Sequence, residues 1–367
     1  MRFRIAALAI AGVAPVLSAQ PTISTTNKFT GTAMNTVVVQ TAGAEGGGIN
    51  NAIYLPPAAD NNYSGVVNLW FRNAAGAVAS ACTGSLLSTR KILTAAHCVS
   101  TNTNTISWSS FTARFRNADG TFTEVNGTGF AVQVGYSGAV LEEQDVAVLT
   151  LSANAPAGAR TYSLFSGNPL VDNTVAGFGR TGDGATGDNN TANNQFAAVN
   201  VLRAGRNRFE TTGRDDQTFA NNANPARQNY GGILLADFDR NSAPSASSFM
   251  CASLAICTGA ANGALESAVG RGDSGGAAFS NTWEVLGVAS WGQGNAPGGN
   301  LNAYDAVFGY ACVANFAANA ACKANYDWVI GQVGPTGVIP EPSTYALMAT
   351  GLVALVGISR RRNARNS

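Results

Sequence analysis

The chain has 367 residues, with 22 lysines and arginines against 21 aspartates and glutamates, and only 12% of its residues are charged. No basic block breaks that balance, so nucleic acid has no support as a partner. Hydrophobic residues make up 46% of the chain, enough to bury one large core or two smaller ones.

Arg2 and Arg4 precede an apolar stretch at residues 5–17 and then Ser18-Ala19-Gln20. A basic start, a short apolar run and small residues at a cleavage site read as a signal peptide over residues 1–19. Export implies an oxidising compartment. The six cysteines (Cys82, Cys98, Cys251, Cys257, Cys312 and Cys322) are therefore read as disulfides rather than metal ligands, and a single histidine argues against a zinc site. Sequence alone allows many pairings of six cysteines. Residues 20–62 are rich in Thr, Asn, Ala and Gly, and contain Gly46-Gly47-Gly48 and Pro56-Pro57. They read as a flexible or loosely attached leader, a possible propeptide, ahead of a domain at residues 63–335.

From Gly65 onward, short alternating apolar runs at 66–71, 91–93, 111–115 and 146–151 are separated by Asn-, Gly- and Ser-rich turns. A second series follows at 174–178, 196–202, 233–238, 277–279 and 283–290. Such spacing is that of an all-β protein, and two β-barrels fit the length. Residues 181–194 and 211–230 read as surface insertions. Gly182-Asp183-Gly184 with Asp188 has calcium-ligand residue types, but reads as a solvated loop without metal. Tyr326, Val329, Ile330 and Val333 fall at helical spacing and predict an amphipathic closing helix.

The chemistry gathers at Gly270-Arg271-Gly272-Asp273-Ser274-Gly275-Gly276. Glycines on both sides suit a nucleophile on a tight turn. If Ser274 attacks a carbonyl, the N–H groups of Gly272 and Ser274 can hold the oxyanion. The single histidine, His97, follows the strand-like 91–93 within Leu93-Thr94-Ala95-Ala96-His97-Cys98. Its imidazole can take the serine proton and return it to a leaving group. Asp145, just before the run 146–151, is the candidate carboxylate to orient that imidazole, with Glu142 and Glu143 as nearby competitors.

The segments L-T-A-A-H-C, D-V-A-V-L and G-D-S-G-G, in the order His, Asp, Ser, resemble those of trypsin-like serine proteases of the chymotrypsin fold. The resemblance covers residues 63 to 333. Ser290-Trp291-Gly292 looks like the family's strand for the substrate backbone, and Ala176-Gly177-Phe178-Gly179 like its G-W-G segment. The resemblance implies two six-stranded antiparallel β-barrels with the site at their junction, a short C-terminal helix, peptide-bond hydrolysis and no cofactor. It implies a protein or peptide substrate, with Ala268 at the floor of the primary pocket beside Val269 and Gly292 on the opposing wall. An uncharged floor implies cleavage after apolar residues, and a shifted register would bring in Glu266 instead. Cys82–Cys98 matches the family's bridge beside the histidine, worth roughly 3 kcal/mol for a loop of about 15 residues. Cys251–Cys257 and Cys312–Cys322 are then the local pairs. In the family, a new N-terminal amine pairs with the aspartate before the serine. Asp273 is present, no I-V-G-G start is, and Ile53 lies at about the family's distance. The alternative is a protease-fold surface binding protein without turnover, suggested by that missing start and by Ala277 in place of a proline.

Beyond the domain, Ile339-Pro340-Glu341-Pro342-Ser343 leads into an apolar run at 345–358 and Arg360-Arg361-Arg362. Residues 336–367 resemble a PEP-CTERM sorting signal with a short transmembrane helix. That resemblance implies a sorting enzyme of the exosortase type as partner. It also implies a location in the periplasm, cell envelope or extracellular matrix of a Gram-negative bacterium.

Overall fold

The computed structural model describes residues 37–48, 50–102, 105–138, 142–188, 201–213, 231–242, 250–251, 256, 260–292 and 304–334. The first strand, β1 (Val37–Val39), stands ahead of everything the spacing predicts. The first half then contains β2 (Val66–Arg72), β3 (Val78–Ser88), β4 (Lys91–Thr94), β5 (Ser100–Asn102), β6 (Thr105–Ile106), β7 (Ser110–Arg116), β8 (Phe122–Val132) and β9 (Ala147–Leu151). Strands β2-β3-β4-β9-β8-β7 close into a six-stranded barrel, and β5 and β6 form a separate small hairpin. In β2, Val67, Leu69 and Phe71 fill the barrel with Phe111, Phe115 and Leu149. Val66 instead joins Val146, Val148 and Leu93 in an apolar cluster shared with the second half. That alternation is the period-two consequence of an extended chain.

The second half contains β10 (Asp172–Gly177), β11 (Thr181–Asp183), β12 (Gly187–Asp188), β13 (Arg203–Arg208), β14 (Thr211–Gly213), β15 (Ile233–Asp237), β16 (Ser267–Ala268), β17 (Ala277–Phe279), β18 (Val285–Gly292) and β19 (Val307–Cys312). Its main sheet runs β13-β10-β17-β18-β19-β15-β14. The two edges are consecutive in the chain. At the corner between them, the Phe209 N–H donates to Val171 O at 3.2 Å and the Glu210 N–H to Leu235 O at 3.0 Å. The second half therefore holds a curved seven-stranded sheet whose edges meet at this corner. Of the two six-stranded barrels expected, only the first-half barrel is closed among the described residues. Of the strand expected at 196–202, residues 196–200 lie outside the described residues; the described strand, β13, begins at Arg203 in the polar run R-A-G-R-N-R.

The leader is where expectation and structure part. β1 pairs in parallel with β11 and antiparallel with β16, matching Val37 to Thr181 and Val38 to Ala268. Val38, Val39 and Gln40 are fully buried. Gln40 Nε2 donates to Asp239 O at 2.6 Å, and the Tyr304 hydroxyl donates to Gln40 Oε1 at 2.9 Å. Further on, the buried Tyr54 donates its hydroxyl to Ala264 O, and Glu45 accepts the Ser242 N–H at 2.7 Å. The described residues from 37 to 62 are therefore part of the packed body rather than a loose leader. Three successive β-branched residues favour an extended strand buried on both faces. Likewise, residues 181–188 form no solvated loop. They are the β11–β12 hairpin beside β1, in which Asp183 caps its own turn by accepting from Ala185 N–H at 3.0 Å.

The closing helix α1 spans Ala320–Val333. Asn319 caps it by accepting the Cys322 N–H at 3.0 Å. Val329 is fully buried, and Tyr326, Trp328, Ile330 and Val333 pack against the shared cluster. No helix among the described residues is long and apolar enough to cross a membrane. The signal-peptide stretch and the apolar run 345–358 both lie outside the described residues.

Candidate active site

His97 sits on a short helical turn, Ala96–Cys98, directly after β4. Ala95 and Ala96 are fully buried there, because small side chains let this turn lie flat against the barrel. A disulfide from Cys98 to Cys82 on β3 pins it, with Cα atoms 6.3 Å apart. Cys312 and Cys322 form a second bridge, tying β19 to α1. Cys251 is also disulfide-bonded, while Cys257, its expected partner, lies outside the described residues.

Asp145 lies two residues before β9 and is 3% exposed. Its Oδ1 accepts the His97 backbone N–H at 2.8 Å, and its Oδ2 meets His97 Nδ1 at 2.7 Å. The Ser290 hydroxyl, from β18 in the other half, donates to the same Oδ2 at 2.6 Å. Three donors satisfy a charge that burial would otherwise penalise. A carboxylate facing Nδ1 places the ring proton there and leaves the Nε2 lone pair free. Burial disfavours the charged imidazole, but the Asp145 charge and hydrogen bond outweigh it, and the His97 pKa is raised above its usual 6.5. The competing carboxylates are engaged elsewhere. Glu142 accepts the Ser137 N–H at 2.7 Å, and Glu143 the Gly232 N–H at 2.9 Å.

Ser274 occupies a turn held at almost every backbone group. Asp273 N–H donates to Gly270 O at 3.0 Å, Gly275 N–H to Ala289 O at 2.8 Å, and Gly276 N–H to Asp273 O at 2.7 Å. Two φ values in the turn are left-handed, 98° at Gly272 and 78° at Gly275, and glycine carries these without strain. A Cβ at Gly275 would also lie 2.0 Å from Thr94 Oγ1. Among the described residues, the amides of Gly272 and Ser274 have no acceptor. These are the two N–H groups that the motif predicts for an oxyanion.

The neighbouring Asp273 is 1% exposed and accepts the Gly179 and Gly270 N–H groups, each at 2.8 Å. In the uncleaved chain Ile53 does not donate its N–H to Asp273. It is 45% exposed on a short turn, and its N–H donates to Asn51 Oδ1. Nothing in the sequence singles out Thr83, yet it joins the two halves at the site. Its N–H donates to Ser274 O at 2.9 Å, its hydroxyl to Gly272 O at 3.0 Å, and it accepts the Phe178 N–H at 3.0 Å. A lone threonine in a run of small residues carries no pattern by which to find it. Because Thr83 follows Cys82, the serine turn and the histidine turn hang from adjacent residues of β3.

The expected pocket residues separate into two groups. Ala268 and Val269 are buried, and β1 backs Ala268 from behind. Ser290, Trp291 and Gly292 end β18; β19 pairs with Trp291 and Gly292, Ser290 lies at a register shift, and β17 pairs with none of the three. Among the described residues, that β17-side edge of the strand has no partner strand here. Glu266 is 2% exposed, and its Oε1 accepts the Asp239 N–H at 2.9 Å. Burial, and then the charges of Asp239, Asp237 and Glu210, outweigh that hydrogen bond and push its pKa up to about 9.

A trypsin family model matches residues 57–313, and a PEP-CTERM protein-sorting motif matches residues 338–362. No curated protein is a significant match to the sequence. Among solved structures, HL collagenase is similar with a TM-score of 0.48 and 18% identity, covering 77% of this chain and 97% of its own. The sorting motif marks the chain for export to the cell envelope, and the disulfides suit that compartment. With the family model covering well over half of its length, the chain belongs to the trypsin family.

Proposed function

We propose that this is an exported serine endopeptidase. In this reading Ser274 Oγ attacks the peptide carbonyl while His97 Nε2 takes its proton. Asp145 holds the imidazolium that results, and the Gly272 and Ser274 amides receive the oxyanion. His97 then returns the proton to the leaving amine, and water hydrolyses the acyl-enzyme by the same path. The observation that carries the reading is one juxtaposition. A histidine fixed through Nδ1 by a three-donor carboxylate shares a junction with a serine turn whose two unspent amides have no acceptor. Each alone has a structural explanation, but together they are the parts of acyl transfer.

An extended substrate would add to the β17-side edge of Ser290-Trp291-Gly292. The primary pocket would then end on Ala268, which supplies no charge. Glu266 does not replace it, since its carboxyl is buried, bonded to Asp239 and neutral at pH 7. A basic side chain there would lose several kcal/mol of hydration unrecovered, whereas an apolar one gains roughly 1.5–3 kcal/mol. The expected preference is for Leu, Val, Met or Phe at the cleaved position. A peptide library read at that position tests it, and dominant cleavage after Arg or Lys refutes it. For the tail we infer recognition and cutting by an exosortase-type enzyme. The decisive test of the main reading is a fluorophosphonate probe. It should label Ser274 in the intact protein and fail on His97→Ala. A protein that takes no label would instead be a binding module built on this fold.

A further inference from the structure

Asp188, on β12, is fully buried, and no step of the proposed mechanism uses its charge. Its Oδ1 accepts from Arg271 Nη1 at 2.8 Å, and its Oδ2 from the Arg271 backbone N–H at 3.1 Å. One carboxylate therefore grips both the side chain and the main chain of the residue immediately before Gly272. The far side of that residue is held as well, because Arg271 O accepts the Arg180 N–H at 2.6 Å. Arg271 C=O and Gly272 N–H belong to a single trans peptide plane and point in opposite directions. Fixing the carbonyl on Arg180 consequently fixes where the Gly272 N–H points.

We propose that Asp188 is a positioning residue for the oxyanion site. It clamps Arg271 so that the Arg271–Gly272 peptide presents its N–H, and not its C=O, to the reacting carbonyl. Glycine at 272 makes this restraint necessary, since it adopts either sign of φ readily and a freed peptide can turn over. A turned peptide would aim a carbonyl dipole at the developing negative charge, and one donor of the pair would be lost. The clamp has its own foundation. β12 pairs with β11, and β11 with β1, whose other neighbour β16 carries Ala268. The N-terminal strand thus supports the oxyanion turn and the pocket floor through one small sheet.

This inference rests on the protease reading, so the test has separate arms. Fluorophosphonate labelling and turnover of the intact wild-type protein establish that reading first, and their failure would end it whatever Asp188 does. In a turnover-competent protein, Asp188→Ala should lower kcat on the order of 10², the loss seen when one oxyanion donor is removed, with KM within about twofold. Affinity for a peptidyl boronate, which mimics the tetrahedral species, should fall in step with kcat, while affinity for the cleaved peptide product stays level. Asp188→Asn keeps the shape and one acceptor but not the charge. It should show a smaller loss, about tenfold, and it serves if the alanine variant fails to fold. Wild-type kcat in Asp188→Asn, or a lower kcat with undiminished boronate affinity, would overturn the proposal.

Discussion

A protein beginning at Thr41 loses β1 and Gln40 from the described fold, and its behaviour tests whether the N-terminal strand is structure or removable leader. The loss can be worked from burial. Val38 and Val39 are fully buried, and at roughly 1.5–3 kcal/mol for each such side chain they contribute about 3–6 kcal/mol. Gln40 adds buried hydrogen bonds to Asp239 and Tyr304, each worth about 1 kcal/mol. Deletion also strips the backbone partners from β11 and β16. A loss of about 5 kcal/mol is comparable to the whole stability of a typical domain, and corresponds to a fall of roughly 10–20 °C in Tm. Thermal unfolding followed by circular dichroism measures the first effect, and active-site titration with a phosphonate measures the second. The shortened protein should unfold early and titrate at a small fraction of its concentration. A Tm within about 2 °C of the full-length protein, with full titration, would show that β1 contributes nothing and is a removable leader after all.

Ser274→Ala and His97→Ala should each cost on the order of 10⁶ in kcat, and Asp145→Ala on the order of 10⁴, because the three act as a unit; steady-state hydrolysis of a peptide ester reads this. Since Asp145 holds the His97 pKa above 6.5, kcat/KM should fall as pH drops through that raised value. Asp145→Asn should move this acid limb to lower pH, and an unmoved limb would discredit the pairing. Glu266 binds its proton more tightly folded than unfolded, so its native-state penalty is absent below about pH 4.5 and grows as pH rises toward 9. Glu266→Gln keeps an acceptor for the Asp239 N–H and should raise Tm by several degrees at pH 8 and little at pH 4.5; an equal effect at both would refute the linkage. Deleting residues 336–367 should leave kcat/KM unchanged while releasing the protein from the envelope, since α1 closes the described fold at Val333. A truncated protein that misfolds would make the tail part of the fold.

Chemistry that is local in sequence is legible in the residues themselves. A serine among glycines, a histidine after a short strand and an aspartate ahead of another each need only a few neighbours to be recognised. The alternating runs of β2, β4, β7 and β9 are visible for the same reason, since one buried face imposes a period of two. β3 and β8 are not, because small and polar residues such as those of V-A-S-A-C-T-G-S-L-L-S carry no apolar alternation and are held by their neighbours in the barrel. The run V-V-V-Q is hidden by its surroundings, as Thr-, Asn- and Gly-rich composition suggests a loose chain unless a partner edge exists. Only the fold supplies that edge, between β11 and β16. The same holds for Thr83, Ser290 and Asp188. Each is an ordinary polar residue, and each gains its part at the site from a hydrogen bond to a residue between 83 and 191 positions away. Residue types and short spacings depend on the chain's own covalent neighbourhood, and the sequence by itself determined those. Pairing across such separations depends on how the barrel and the second sheet pack against each other, and tertiary structure alone decided it.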